Sequence, residues 1–257
     1  MKVVFLGAGN VATHLALALD RCADVLQVYS RNLDNATRLA QSLRKASAIN
    51  DLSQLLDDAD VYIVSVKDDV ISRVISQAKL GRSGLWVHTS GSIDIDVFRG
   101  DVDEYGVLYP LQTFSKDVYV DVTEVPFFIE ACNEDVCLKI EQFVKLISTN
   151  IYRANSFQRR QLHIAAVFGC NFINYMWVQA DEILQNAGYK FDILLPLIKA
   201  TIEKAERYTP MKGQTGPARR GDIEVVKAHE RELNEEQKEI YSLVSQCIMQ
   251  KYNRKDE

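Results

Sequence analysis

The chain has 257 residues, 47% hydrophobic and 25% charged, enough for one large domain or two modest ones with proper cores. A net charge of −5 and a sequence pI near 5.5 leave no basic surplus, which argues against a nucleic-acid partner. Five scattered cysteines (Cys22, Cys132, Cys137, Cys170, Cys247) form no CxxC pair and no zinc-like Cys/His spacing, a pattern suited to a reducing cytosol.

The N-terminal VVFLGAG reads as a strand entering a turn rather than a cleavable signal. The most apolar stretch, 164–178, carries two Asn and falls short of the ~20 residues of a membrane span. The expectation is a soluble cytoplasmic protein without membrane association.

Along residues 1–154, short apolar runs alternate with amphipathic stretches. VVFLG (3–7), VLQVYS (25–30), VYIVSV (61–66), LWVHTS (85–90), GVLYP (106–110) and VPFFIE (125–130) read as strands. NVATHLALALDRC (10–22), NLDNATRLAQSLR (32–44) and DLSQLLDDA (51–59) read as helices. Such alternation predicts right-handed βαβ units and an α/β, doubly wound parallel Rossmann sheet.

From residue 155 the rhythm becomes helical, predicting an all-α C-terminal domain over 155–257. Residues 156–187 read as one helix of ~30 residues, about 45 Å long, with Gly188 as its stop. A second helix is expected over 192–208 with Asp192 as N-cap, then a loop at TPMKGQTGP (209–217). Helices over 223–233 and 234–252 follow, and the tail NRKDE (253–257) is expected to fray.

Gly7-Ala8-Gly9-Asn10-Val11-Ala12 lies where a strand turns into a helix. The first glycine allows a tight turn, and the second clears a side chain from an approaching pyrophosphate, which then sits on the helix N-terminus. Alanine at position 12 replaces the glycine that lets helix and sheet pack closely. The cofactor type is set about 20 residues on, where NAD sites carry a carboxylate for the ribose 2′-OH. Here the sequence is Val28-Tyr29-Ser30-Arg31, a hydroxyl and a guanidinium suited to a 2′-phosphate, so NADP is favoured over NAD. A structural turn and a surface arginine are the plainer alternatives.

These residues occur in order with SVKDDVI (65–71), HTSGS (88–92), YPLQTF (109–114), a long helix bearing His163 and Asn171, and TGPARRGD (215–222). Together they resemble the NADP oxidoreductase-like proteins that pair a Rossmann domain with a helical C-terminal domain. That group is related to 6-phosphogluconate dehydrogenase, the β-hydroxyacid dehydrogenases and pyrroline-5-carboxylate reductase. The resemblance implies that Val66-Lys67-Asp68 lies along the adenosine side of the cofactor, with helix N-capping by Asp68 or Asp69 as the structural alternative. It also implies that Ser90 and Gly91 face a small substrate; Ser90 lacks the surroundings of a nucleophile. His88 reads as either catalytic or a buried strand residue.

In the β-hydroxyacid dehydrogenases a lysine on the long helix, followed four residues later by asparagine, reaches the substrate. Here the sequence is Arg160-Gln161-Leu162-His163, then Val167 and Asn171, so His163 would replace the lysine as general acid. On an ideal helix Asn171 lies about 80° from His163 and Asn174 about 20°. A hydrogen-bonded helix interface accounts for the same residues. Tyr109 stands where relatives often carry histidine. Arg220 would anchor a substrate carboxylate or phosphate, or else form a salt bridge.

The leading expectation is an NADP(H)-dependent oxidoreductase transferring hydride on a small carbonyl, hydroxyl or imine substrate, with the nicotinamide between the domains. The alternatives are a non-catalytic NADP-binding or sensing protein, and an interaction module with a vestigial nucleotide fold. The helix at 164–178 is apolar almost all round, which predicts a homodimer through the helical domain.

Overall fold

A computed structural model describes residues 1–78 and 83–252; the tail 253–257 lies outside the described residues. Among these, an eight-stranded sheet runs β3-β2-β1-β4-β5-β6-β7-β8. Its strands are β1 (Lys2–Leu6), β2 (Asp24–Tyr29), β3 (Ser47–Ile49), β4 (Val61–Val64), β5 (Leu85–His88), β6 (Tyr105–Pro110), β7 (Phe127–Ala131) and β8 (Ile151–Arg153). All neighbouring pairs are parallel except β6 with β7, so the sheet expected to be parallel is mixed at that edge. The connection from Leu111 to Pro126 carries no helix long enough for a parallel crossover, and the chain returns antiparallel.

Alternation in β1 builds the two faces. Val3 and Phe5 enter one core with helices α1 (Asn10–Leu19), α2 (Leu33–Gln41) and α4 (Glu134–Val144). Val4 and Leu6 enter the other with α3 (Ile71–Ala78) and Trp86, Tyr62 and Phe98. All four β1 side chains are fully buried, each contributing roughly 1.5–3 kcal/mol. Because neither face meets water, the strands read as unbroken apolar runs.

The stretch 51–59 forms only a 3₁₀ turn, Leu52–Gln54, not the expected helix. Tertiary bonds take the backbone groups a helix needs. Gln27 Oε1 accepts from the Leu56 N–H at 3.0 Å and its Nε2 donates to the Gln54 carbonyl at 3.0 Å, while the Tyr62 hydroxyl donates to the Leu56 carbonyl at 2.8 Å.

The chain divides into two compact units, Met1–Asn171 and Phe172–Glu257. The first includes α5 (Ser156–Ala166), opened by a capping box between Asn155 and Gln158. The expected single long α-helix is interrupted by a π-helical stretch, Val167–Phe172, before α6 (Ile173–Asn186). Gly188, at φ +81°, follows the end of α6 as anticipated.

The helical unit continues with α7 (Leu195–Arg207), α8 (Pro210–Gly213), α9 (Pro217–Arg220), α10 (Ile223–Glu232) and α11 (Glu235–Tyr252). Asp192 does not cap α7; it lies in a preceding 3₁₀ turn, Phe191–Leu194, and Pro196 sets the first turn of α7. The stretch 209–217 is not wholly loop, because Pro210 and Pro217 each start a short helix.

Candidate active site

An open cleft of about 1690 Å³ lies along the C-terminal ends of β2, β1, β4, β5 and β6, all parallel to one another. Strand order reverses between β2-β1 and β4, the switch point where such sheets gather ligands. Every residue lining the cleft belongs to the first compact unit, which takes in α5 and the π stretch as far as Asn171.

Gly7 leaves β1 at φ +132°, and its N–H donates to the Tyr29 carbonyl at 2.8 Å. A Cβ there would stand 2.0 Å from the Ser65 carbonyl oxygen, so the approach of β1 to β4 requires glycine. Gly9 differs. It is the N-cap of α1 with ordinary dihedrals, and a Cβ on it would meet nothing within 4 Å, projecting into open cleft. That space lies before the first turn of α1, whose leading N–H groups lack intrahelical partners. It suits an anion.

The surrounding charge agrees. In a chain of net charge −5, the cleft is lined by Arg31, Lys67, Arg73 and Lys116, none with an ion pair among the described residues, against one carboxylate, Asp68. Ser30 is fixed by its N–H donating to the Ile49 carbonyl at 3.1 Å. Asn32 caps α2 by accepting from the Asp34 N–H, which sets Arg31 at the exposed end of β2.

Of the residues singled out in the sequence, Gly7, Gly9, Asn10, Val11, Ser30, Arg31, Val66, Lys67, Asp68, Ser90, Gly91, His163 and Asn171 all line the cleft. Ala12 does not; it is fully buried in the sheet–helix core, the packing role of the third position. Asn10 turns its amide aside, donating to the Phe114 carbonyl at 2.8 Å, while His14 bonds the Ser115 carbonyl at 2.9 Å and stacks on Phe114. The segment 111–116 is thus held against α1 as a cleft wall. Neither Asp68 nor Asp69 caps the following turn, whose N-cap is Lys67. Arg220 belongs to the helical unit and pairs with Asp222 at 2.8 Å.

Ser90 Oγ accepts from the N–H groups of Ser92 and Ile93 at 3.0 and 3.1 Å, folding the turn after β5. Its role is to shape that turn, with its own proton left to donate. His88 is fully buried, stacked on Phe98, and its Nδ1 accepts from the Ser90 N–H at 3.1 Å. Burial, with the Arg159 guanidinium adding to it, pushes its pKa down to about 3. It is a neutral structural histidine and does not line the cleft.

His163 and Tyr109 meet across the cleft wall, with Tyr109 Oη 3.0 Å from His163 Nδ1 and the rings edge to face. Asn171 joins His163 on the lining and Asn174 does not, opposite to the ideal-helix ranking. The i→i+5 turns hold more residues each, so they rotate less than 100° per residue and reduce the offset between 163 and 171.

A further group carries no sequence signature. Arg159, fully buried, pairs with Glu130 and donates to the Ile93 carbonyl and, at 3.2 Å, to Ser156 Oγ. Glu130 also accepts from the Ser156 N–H and hydroxyl at 2.9 and 2.8 Å. This cluster joins α5 to β7 and to the segment after β5. No periodicity signals it, because Glu130 and Ile93 lie 29 and 66 residues from Arg159. The described residues contain no cluster able to hold a metal ion and no helix long and apolar enough to cross a membrane.

Comparison with known proteins agrees with this geometry. A family described as NADP oxidoreductase, coenzyme F420-dependent, matches residues 2–87, and a domain of unknown function, DUF2520, matches residues 125–248. A crystal structure described as a "putative NADP oxidoreductase" from Bacteroides fragilis is 41% identical, covering 97% of this chain and 98% of that chain, with a TM-score of 0.93. The chain belongs to this NADP oxidoreductase family. The family's cofactor is NADP and its members are oxidoreductases.

Two more distant structures share the fold of this oxidoreductase. A Plasmodium falciparum pyrroline carboxylate reductase with NADP bound is 14% identical over 97% of this chain and 98% of that chain, with a TM-score of 0.62. An Aspergillus terreus reductive aminase in complex with NADPH and ethyl-5-oxohexanoate is 11% identical over 99% and 96%, with a TM-score of 0.73. No curated protein sequence matches the chain.

Proposed function

We propose that this oxidoreductase binds NADP(H) along the strand ends and reduces a small carbonyl or imine, or oxidises the matching alcohol or amine. The observation that carries the reading is one cleft uniting a side-chain-free approach to the α1 N-terminus at Gly9, cations without an ion pair among the described residues, and a histidine in contact with a tyrosine. With strands ~4.8 Å apart, the ends of β2 to β6 extend over roughly 19 Å, room for an extended dinucleotide.

In this assignment Gly7, Gly9 and Val11 shape the turn that takes the pyrophosphate, while the α1 backbone donates to it. Ser30 and Arg31 take the 2′-phosphate, and Val66, Lys67 and Asp68 flank the adenosine side. The 2′ end is thereby assigned to β2, which leaves β5, β6 and α5 for the reacting end. When bound, the cofactor supplies or accepts the hydride. The substrate atom beside the reduced carbon then gains electron density, and His163 delivers a proton to it. Gly91, Asn171 and the Ser90 hydroxyl line the same region for substrate contact.

Titration of NADPH and NADH by calorimetry tests the assignment. Tight NADPH with weak NADH is expected, and Arg31→Ala should erase most of the preference. Equal binding of the two cofactors would refute the role of Arg31, and binding of neither would remove the cofactor reading. His163→Ala should abolish NADPH oxidation with small imines or keto acids while keeping NADPH affinity. Wild-type binding without turnover of any substrate tried would favour the sensing alternative.

We also propose a homodimer through the helical unit. Within Phe172–Glu257, Ala218 and Val226 are the buried apolar side chains among the described residues, whereas Ile173, Met176, Leu197 and Leu243 are exposed. So little burial cannot offset the ordering entropy of a free helical unit. A monodisperse monomer in light scattering at micromolar concentration would refute this.

A further inference from the structure

We infer that Tyr109 and Gly91 are positioning residues that hold the His163 ring by Nδ1 and leave Nε2–H as the proton-bearing edge. The inference rests on the catalytic role proposed for His163, and it is carried by three observations.

The first is the contact itself, 3.0 Å between Tyr109 Oη and His163 Nδ1. The second is the satisfaction of the hydroxyl. Tyr109 is 7% exposed and its Oη has no other hydrogen-bond partner among the described residues. If Nδ1–H donated to the phenol, the tyrosine proton would have no acceptor among the described residues, the less favourable arrangement. If the phenol donates, both atoms are satisfied and the neutral imidazole keeps its proton on Nε2. Burial pushes the phenol pKa up to about 12, outweighing the nearby Arg159 guanidinium, so the donor stays protonated. Proton delivery uses the imidazolium: the hydroxyl rotates to accept from Nδ1–H, Nε2–H leaves for the substrate, and exchange with solvent returns the neutral ring to its Nε2–H form.

The third observation is steric. A Cβ on Gly91 would stand 2.8 to 2.9 Å from His163 Cγ, Cβ and Nδ1. The ring therefore packs directly on the Gly91 backbone, with Tyr109 edge-on beside it at a ring separation of 6.0 Å. Gly91, proposed above as a substrate contact, also makes room for the histidine. A ring bounded by a backbone and a hydrogen-bonded phenol has little freedom in χ1 or χ2, the preorganisation that a proton donor needs.

The decisive experiment is long-range ¹⁵N–¹H correlation NMR on the whole protein above pH 8. The chain's four histidines keep the spectrum assignable, with His163→Asn identifying the signal. Wild-type His163 is expected as a single Nε2–H tautomer, and Tyr109→Phe, which removes one oxygen and retains the ring, should give mixed tautomers. In turnover assays the same variant should lose about tenfold in kcat with KM for NADPH unchanged. Gly91→Ala should displace the ring and lower kcat similarly, while Gly91→Ser should not rescue it.

A wild-type Nδ1–H tautomer, or an unchanged single Nε2–H tautomer in Tyr109→Phe, would overturn the inference. Mixed tautomers with unchanged kcat would uphold the positioning by Tyr109 and instead remove His163 from the chemistry. The two failures are therefore distinguishable, and the NMR arm decides even for a protein that turns over no tested substrate.

Discussion

Acid should destabilise this protein through one buried histidine well before its carboxylates titrate. His88 is fully buried with its pKa pushed down to about 3, and in the unfolded chain it returns to about 6.5. Well above pH 6.5 the side chain is neutral in both states and contributes nothing to the pH dependence. As pH falls below 6.5 the unfolded state takes up a proton that the folded state refuses, so stability drops until pH approaches 3. One proton changes the unfolding free energy by about 1.4 kcal/mol per pH unit once the unfolded group is mostly charged. Between pH 7.5 and pH 5 the loss from His88 alone is about 2 kcal/mol, while most carboxylates remain ionised.

The assay is urea unfolding at pH 7.5, 6.0 and 5.0, at one fixed protein concentration, for wild type and His88→Asn. Asparagine offers an acceptor to the Ser90 N–H in place of Nδ1 but does not titrate. The variant is expected to be less stable at pH 7.5 and to lose about 2 kcal/mol less on going to pH 5. Contributions from the other histidines are shared and cancel in the difference. Parallel stability–pH curves would refute the reasoning, because they would mean that His88 is protonated in the fold or titrates equally in both states.

The two turn glycines should separate cleanly. Gly7→Ala sets a methyl 2.0 Å from the Ser65 carbonyl at φ +132°, and thermal denaturation should register a loss of about 3 kcal/mol or more. Gly9→Ala meets open space, so the melting temperature should hold within a few degrees while calorimetry shows NADPH affinity falling more than tenfold. Arg159→Met strands the Glu130 carboxylate and should cost about 3–5 kcal/mol in chemical denaturation. Adding Glu130→Gln should restore part of that loss; a double variant no more stable than the single would contradict the pairing.

The sequence alone determined the parts governed by local physics. Apolar runs of strand length, the glycine turn at residues 7–12 and the change of rhythm after 154 were legible because burial on both sheet faces, tight backbone geometry and helical periodicity each write a local pattern. The place of Arg31 on the cleft was legible for the same reason, since it follows from its distance along the chain from the glycines. The short β3 and β8 strands, with three residues each, are too brief to carry a pattern.

Tertiary structure decided the rest. Residues 51–59 have helical periodicity, yet Gln27 and Tyr62 capture their backbone groups from other strands. The π stretch altered the rotation between His163 and Asn171, which a fixed 100° step cannot anticipate. Tyr109 lies 54 residues from His163, and Gly91 lies 72 residues before it. How those residues meet is fixed by where β5, β6 and α5 converge, because contact depends on distance in space and local sequence pattern encodes only neighbours along the chain.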